Sequence, residues 1–161
     1  MAANKLEVIA EPGKPTIVTR RWLDAPRALV FEMFTRPEHV KRWLGPRRLT
    51  LVECDIDLRV GGGYRWLFRA PDGAQFGFHG EFREIVRPER IVQTFIFEPF
   101  PNAVVIDTLT LEEKGGRTLV TTSSVHPTVQ DRDMHIANGM EHGMVEGYEK
   151  MDELIAALKA A

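Results

Sequence analysis

The feature that most constrains this chain is its last segment, Asp131 to Leu158, which contains no proline and has a helical apolar period. Six large apolar side chains follow one another at steps of four or three residues: Met140, Met144, Tyr148, Met151, Ile155 and Leu158. At about 100° per residue they share one stripe about 80° wide. The segment therefore predicts one long amphipathic helix that must bury a single face.

Three glycines, Gly139, Gly143 and Gly147, recur every fourth residue along the edge of that stripe. Each glycine costs about 1 kcal/mol relative to alanine in a helix interior, so some interaction must offset it. The favoured interpretation is a close approach of the helix backbone to the sheet or to another chain. The alternative is that the missing side chains leave room for a ligand.

Upstream of this helix, short segments rich in β-forming residues alternate with turn sequences at intervals of roughly ten residues. These predicted strands are Leu49 to Leu58, Tyr64 to Arg69, Phe76 to Val86, Ile91 to Glu98, Val104 to Glu112 and Thr118 to Val125. An earlier strand, Thr16 to Leu23, is followed by two short helices. The chain thus predicts an α+β fold, with a seven-stranded curved antiparallel sheet wrapped on a long C-terminal helix.

The length of the chain indicates one domain. With 161 residues, 43% of them hydrophobic, it can bury one substantial core but not two. Residues 1–15 have no clear period and predict a flexible N-terminal arm, or at most a short edge segment. Residues 16–161 predict a single domain.

Composition excludes several classes of function. The net charge of −2 is dispersed along the chain, so no nucleic-acid partner is expected. Cys54 is the single cysteine, which excludes an intramolecular disulfide and a multi-thiolate metal site. No apolar run approaches the roughly 20 residues that span a bilayer, and no secretory segment is visible. We expect a cytoplasmic protein without membrane insertion.

Alternation along the strands predicts an aromatic surface opposite the C-terminal helix. In the segment from Tyr64 to Arg69, Tyr64, Trp66 and Phe68 share the inward face. Phe78 and Phe95 add aromatic side chains on the next two strands. Such rings opposite a methionine-lined helix either fill the core or enclose a cavity, and the sequence leaves both open.

Enzymatic chemistry has four candidate side chains: His79, Arg83, Glu81 and Asp107. Alternation places His79 and Glu81 on the outer face if Phe78 and Phe82 point inward. Solvated strand charges are therefore the favoured interpretation. A buried acid or histidine on the concave face would reverse it.

The histidines and serines give no catalytic or metal motif. His135 and His142 lie about 10 Å apart along a helix, too far to share one ion, and opposite the apolar stripe. We expect them to face solvent, and we expect no metal and no cofactor. Ser123, Ser124 and His126 are close in sequence, but no G-x-S-x-G turn frames either serine.

Several local sequences, in this order and spacing, resemble the SRPBCC or START-like superfamily, and within it the branch named after the activator of the heat-shock protein 90 ATPase. They are Ala25-Pro26, Val30-Phe31, Trp43-Leu44-Gly45-Pro46, Gly61-Gly62-Gly63-Tyr64-Arg65-Trp66, His79-Gly80-Glu81-Phe82, Pro88-Glu89-Arg90-Ile91 and Gly143-Met144-Val145-Glu146-Gly147-Tyr148. The resemblance spans Thr16 to Leu158. It implies the helix-grip fold and a deep cavity between helix and sheet, but no transferable catalytic set.

These observations lead to three hypotheses. The first is a binding protein for a small apolar molecule, with a pocket lined by Trp43, Tyr64, Trp66, Phe68, Phe78, Phe95, Met140, Met144 and Tyr148. The second is a cofactor-free enzyme similar to polyketide cyclases or aromatases that uses the same cavity. The third is a chaperone-interaction module, an activity of larger eukaryotic proteins with a further N-terminal domain. Homodimerisation through an edge strand or the glycine stripe stays open.

Overall fold

One antiparallel sheet dominates the structure, a computed structural model that describes residues 4–161. Its strands are β1 Glu7–Ile9, β2 Thr16–Leu23, β3 Thr50–Ile56, β4 Gly63–Arg69, β5 Gln75–Val86, β6 Arg90–Phe97, β7 Val105–Lys114 and β8 Arg117–Val125. They lie in the order β1-β2-β8-β7-β6-β5-β4-β3. The predicted α+β class with one antiparallel sheet is confirmed.

The sheet has eight strands, so the prediction of seven is wrong by one. The additional strand, β1, lies within residues 1–15 and pairs with β2 from Glu7 opposite Arg20 to Ile9 opposite Val18. It is three residues long and lies at the sheet edge. Three residues are too few to show alternation, and the sequence therefore gave no strand signal there.

In the described residues four helices accompany the sheet: α1 Arg27–Thr35, α2 Pro37–Trp43, α3 Val129–Ala137 and α4 Met140–Ala160. The two short helices after β2 agree with the prediction. The single helix predicted from Asp131 to Leu158 is wrong, because the chain breaks at Asn138 and Gly139. Gly139 has φ 87°, in the left-handed region that glycine adopts without steric strain. The break allows α3 and α4 to take different directions.

Bulges curve the sheet and make one face concave. The pairing register shifts between Leu51 and Glu53 and again between Phe82 and Glu84. Such bulges bend a strand and increase its twist. The main core lies between the concave face, α1 and the C-terminal half of α4, and its fully buried side chains include Leu23, Val30, Met33, Leu111, Val120, Met151 and Leu154.

The helices do not provide a membrane span. Within residues 4–161, none of the four combines the length and the apolar character required to cross a bilayer.

Candidate ligand-binding cavity

A cavity of about 600 Å³ lies between the concave face of the sheet and the N-terminal half of α4. The segment that follows α2, from Leu44 to Leu49, forms part of its wall, and the α3–α4 junction at Asn138 and Gly139 forms another. Its volume falls in the range of about 300–1,000 Å³ that is common for small-molecule sites. The helix therefore spans this part of the hollow without filling it.

Eight of the nine residues predicted to bind a ligand line this cavity. They are Trp43, Trp66, Phe68, Phe78, Phe95, Met140, Met144 and Tyr148. Their role in binding stays a prediction, whereas their convergence on one space is a feature of the structure. They come from five elements that are distant in sequence: α2, β4, β5, β6 and α4.

The ninth residue, Tyr64, lies in the main core beside the cavity and does not line it. Its hydroxyl donates a hydrogen bond to the Thr94 carbonyl on β6. The ring can approach because Gly80 lies opposite it on β5, where a Cβ would come within 2.7 Å of the tyrosine hydroxyl oxygen. Alternation predicted the correct face for Tyr64 but could not predict this position along the strand.

Aromatic rings form one wall of the cavity. The Phe78 ring stacks on Phe95 with 5.2 Å between centroids, and it meets Phe68 edge-on at 5.8 Å. The Trp66 ring lies 6.1 Å from Phe95. Offset and edge-to-face contacts of this kind are favourable beyond the apolar area they bury. Apart from Nε1 of Trp66, this wall is apolar.

Trp43, the last residue of α2, is held in place directly before the segment from Leu44 to Leu49 that forms part of the cavity wall. Its indole Nε1 donates to the Met33 carbonyl at 2.7 Å, and its ring meets Phe34 edge-on at 4.9 Å. The backbone of α4 passes close by, since a Cβ on Gly147 would lie 3.3 Å from the Trp43 carbonyl oxygen. At Gly147 the helix backbone does approach another element closely, but that element is α2, whereas the sequence analysis expected the sheet or another chain.

Polar side chains form the opposite part of the lining. Gln93 on β6, Asp107 on β7 and Ser124 on β8 lie directly across from one another in the sheet register. One pair further along β8, Thr122 lies across from Thr19 on β2, and their two hydroxyl groups are hydrogen-bonded to each other. All five residues line the cavity.

Asp107 is the most unusual of these groups. Its Oδ1 is shielded from solvent and has no hydrogen-bond partner within residues 4–161. Burial raises the pKa of the carboxyl to about 6, and a hydrogen bond from the Ser124 hydroxyl opposes the rise. The interpretation of Asp107 as a solvated strand charge is therefore wrong. Within residues 4–161, one other shielded side-chain polar atom has no hydrogen-bond partner, and it is Nε1 of Trp66.

The other three candidates for enzymatic chemistry, His79, Glu81 and Arg83, do not line the cavity. His79 Nδ1 lies 3.0 Å from Glu98 Oε2, and Arg65 donates two hydrogen bonds to the same carboxylate. This ion pair, together with His79, lowers the pKa of Glu98 to about 2. These contacts form a polar cluster outside the cavity, as alternation predicted for His79.

His135 also differs from the prediction, because it lines the cavity and does not face solvent. Its Nδ1 lies 2.9 Å from Nε2 of His126, a buried residue whose Nδ1 faces the Pro15 carbonyl. Burial, with a smaller contribution from His126, lowers the pKa of His135 to about 4. The break at Gly139 explains the error, since α3 does not continue the helical phase of α4.

His142 lies at the exposed rim of the cavity, 3.6 Å from Glu146. It is separate from the His126–His135 pair. No group of three or more histidine, cysteine or acidic side chains in residues 4–161 has a geometry that could hold a metal ion.

A signal for Asp107 was present in the sequence. Val105, Leu109 and Leu111 are separated from it by even numbers of residues, so all four share the inward face of β7. Val105 and Leu111 are buried, and Leu109 lines the cavity with Asp107. The apolar neighbours of Asp107 along the strand therefore indicated its face.

The comparisons with known proteins agree with this architecture. The family model for the Activator of Hsp90 ATPase homolog 1-like protein matches residues 24–156. A solved structure from Rhodobacter sphaeroides is 24% identical, with a TM-score of 0.86 over 96% of this chain and 99% of the other. One from Nitrosomonas europaea is 27% identical, with a TM-score of 0.82 over 91% and 97%. One from Chromobacterium violaceum is 26% identical, with a TM-score of 0.78 over 87% and 96%. No curated protein matches the sequence.

Proposed function

Because the chain belongs to the Activator of Hsp90 ATPase homolog 1-like family, within the SRPBCC superfamily, we propose that it binds a small, largely apolar molecule in the cavity under α4. The fold is of a ligand-binding type in general. The observation that carries the proposal is the volume of about 600 Å³ enclosed by aromatic and methionine side chains. Apolar burial would supply most of the affinity.

The ring contacts within the aromatic wall support this proposal. Phe68, Phe78 and Phe95 hold one another through ring contacts at 5.2 to 5.8 Å, so a ligand meets a surface that is already formed. A preformed site loses less conformational freedom on binding than a site that must assemble around the ligand. Met140 and Met144 on the facing helix have flexible side chains that adapt to different shapes.

The test is a fluorescence titration with N-phenyl-1-naphthylamine, an uncharged dye that brightens in apolar surroundings. Ser124→Phe places a ring inside the cavity, because Ser124 lines it. Ser123→Phe is the matched control, since the preceding residue of β8 points to the opposite face and does not line the cavity. We expect Ser124→Phe to weaken dye binding at least tenfold, about 1.4 kcal/mol, and the control to change it little.

Circular dichroism and urea unfolding of both variants separate loss of the cavity from loss of the fold. Equal dye affinity in wild-type protein and a folded Ser124→Phe variant would overturn the proposal. So would equal weakening by the two substitutions, because dye binding would then not depend on this cavity.

A second candidate function, a cofactor-free enzyme that uses the same cavity, is favoured by Asp107 and His135. Both line an otherwise mainly apolar space, and a carboxyl with a pKa of about 6 exchanges protons near neutral pH. The test is to incubate wild-type protein and Asp107→Asn with a bacterial metabolite extract and to follow the extract by NMR. Loss of a metabolite with wild-type protein alone supports an enzyme, and unchanged spectra contradict it.

A further inference from the structure

The two kinds of cavity lining are segregated by strand. The aromatic residues Trp66, Phe68, Phe78 and Phe95 come from β4, β5 and β6. The acidic and hydroxyl residues come from β7, β8 and β2, which occupy the other half of the sheet: Asp107, Ser124, Thr122 and Thr19. Gln93 on β6, across from Asp107, lies where the two halves meet. A ligand in this cavity therefore meets an aromatic end and a hydrogen-bonding end.

Asp107 is the acidic group at the polar end, and its hydrogen-bonding capacity is incompletely used. The hydroxyl groups of Thr19 and Thr122 bond to each other, and Nδ1 of His135 faces His126 at 2.9 Å. Oδ1 of Asp107 has no partner within residues 4–161, and an ionised carboxylate only accepts hydrogen bonds. Oδ1 is shielded, so a ligand in the cavity would reach the carboxylate through its other oxygen, Oδ2, which also only accepts hydrogen bonds. A ligand group that binds Asp107 must therefore be a hydrogen-bond donor.

The charge of the cavity restricts the donor further. Among lining residues in the described part of the chain, Arg48 is the single arginine or lysine, and it is exposed. A ligand carboxylate at the polar end would thus meet the negative Asp107 without a compensating cation. A ligand ammonium would attract Asp107, but it would have to leave water, and this desolvation cost offsets much of the attraction. An uncharged donor avoids both penalties.

We propose that the ligand is an uncharged alcohol or phenol, whose apolar body lies against the aromatic half and whose hydroxyl group donates a hydrogen bond to Asp107. This inference rests on the proposed function and specifies its ligand class. It assigns Asp107 to ligand recognition. Ser124, directly across from Asp107, is the adjacent group that can meet the same hydroxyl.

The experiment compares 2-naphthol with 2-methylnaphthalene as competitors for bound N-phenyl-1-naphthylamine. The two probes have the same ring system and differ in one hydroxyl or methyl group. In Asp107→Leu, we expect the affinity for 2-naphthol relative to 2-methylnaphthalene to fall about tenfold. Thr110→Val is the matched control, since Thr110 lies three residues along β7 on the opposite face and does not line the cavity. We expect it to leave the ratio unchanged.

The outcomes separate this inference from the proposed function. If the dye does not bind wild-type protein, or neither probe displaces it, both fail. If both probes displace it and Asp107→Leu leaves the ratio unchanged, the hydroxyl contact is wrong and cavity binding stands. If 2-naphthoate or 2-naphthylmethylammonium displaces the dye more strongly than 2-naphthol, and does so only with Asp107 present, the uncharged class is wrong.

A second measurement needs no variant. We expect a crystal structure of wild-type protein with 2-naphthol to place the ligand oxygen within hydrogen-bond distance of the Asp107 carboxylate. An oxygen at the aromatic end, beside Phe68 and Phe78, would overturn the proposed orientation.

Discussion

The two halves of α4 use the same apolar stripe for different purposes. In the C-terminal half, Met151, Leu154 and Ile155 are at most 4% exposed and pack into the main core. In the N-terminal half, Met140 and Met144 keep partial exposure and line the cavity. The period of the stripe does not change along the helix. What changes is the sheet surface opposite it, so burial of a helix face depends on its partner as much as on its own pattern.

Polar contacts of Arg21 also distinguish the two halves of α4. Arg21 on β2 donates hydrogen bonds to both carboxylate oxygens of Asp152, at 3.0 and 2.6 Å. Its guanidinium also lies over the Tyr148 ring, 5.4 Å from the centroid. These contacts hold the C-terminal half of α4 against β2. The helix is thus held firmly at one end while its other end spans the hollow.

The largest expected effect is the loss of a core side chain in the C-terminal half. Leu154 is 1% exposed, so Leu154→Ala leaves a void in a packed core and should lower the free energy of unfolding by about 2–5 kcal/mol. Met144→Ala removes a side chain that already borders an empty space, and should cost less than about 1 kcal/mol. Urea denaturation measures both. Equal losses would show that the N-terminal half is packed like the C-terminal half.

The next effect concerns Asp107, which lines the cavity. Its pKa is about 6 in the folded protein, above the ordinary value of 3.8, so the ionised form opposes folding. The penalty is fully present above pH 6 and absent below about pH 3.8. We expect Asp107→Leu to raise the free energy of unfolding at pH 7 by an amount on the order of 2 kcal/mol, and to change it little at pH 4.

Subtracting the wild-type value at each pH removes the contributions of other titrating groups, including His135. We therefore expect the difference in unfolding free energy between Asp107→Leu and wild-type protein to shrink as the pH falls from 7 to 4. A gain that is the same at pH 7 and pH 4 would mean that the apolar volume of leucine, and not the removal of a charge, stabilises the variant.

The smallest effect compares two glycines of α4. A Cβ on Gly143 would lie 3.6 Å from Pro46 Cδ, an ordinary van der Waals contact, whereas one on Gly147 would lie 3.3 Å from the Trp43 carbonyl oxygen. Gly143→Ala should therefore raise the free energy of unfolding by about 0.5–1 kcal/mol through helix propensity. Gly147→Ala should give a smaller gain or a loss, because the contact with Trp43 is tight. Thermal unfolding of the two variants ranks their stabilities. A larger gain for Gly147→Ala than for Gly143→Ala would contradict the view that α4 is tightly packed at Gly147 and less so at Gly143.

The sequence predicted most of the fold because its signals are local. Turn residues such as Pro71, Asp72 and Gly73 separate the strands, and alternation of polar and apolar residues assigns their faces. The break between α3 and α4 was missed, since Gly139 belongs to the same four-residue series as Gly143. Whether a glycine in such a series takes a left-handed conformation depends on contacts with the rest of the fold.

The sequence predicted the aromatic residues of the candidate site but not its buried acidic and histidine residues. Aromatic residues such as Trp66 and Phe78 could be assigned from alternation alone, and both line the cavity. Asp107 was assigned to solvent because charged residues usually are, although its apolar neighbours on β7 indicated the inward face. His135 was assigned to solvent because one continuous helix would turn it away from the apolar stripe, and the pattern did not show the break at Gly139.

The unfilled cavity under α4 is tested most directly by an X-ray structure of the protein under xenon pressure, since xenon occupies apolar cavities without requiring a specific ligand. We expect xenon between Met144 and the rings of Phe78 and Phe95. The result that would contradict this expectation is an absence of xenon there, with the side chains of Met140 and Met144 packed directly against those rings.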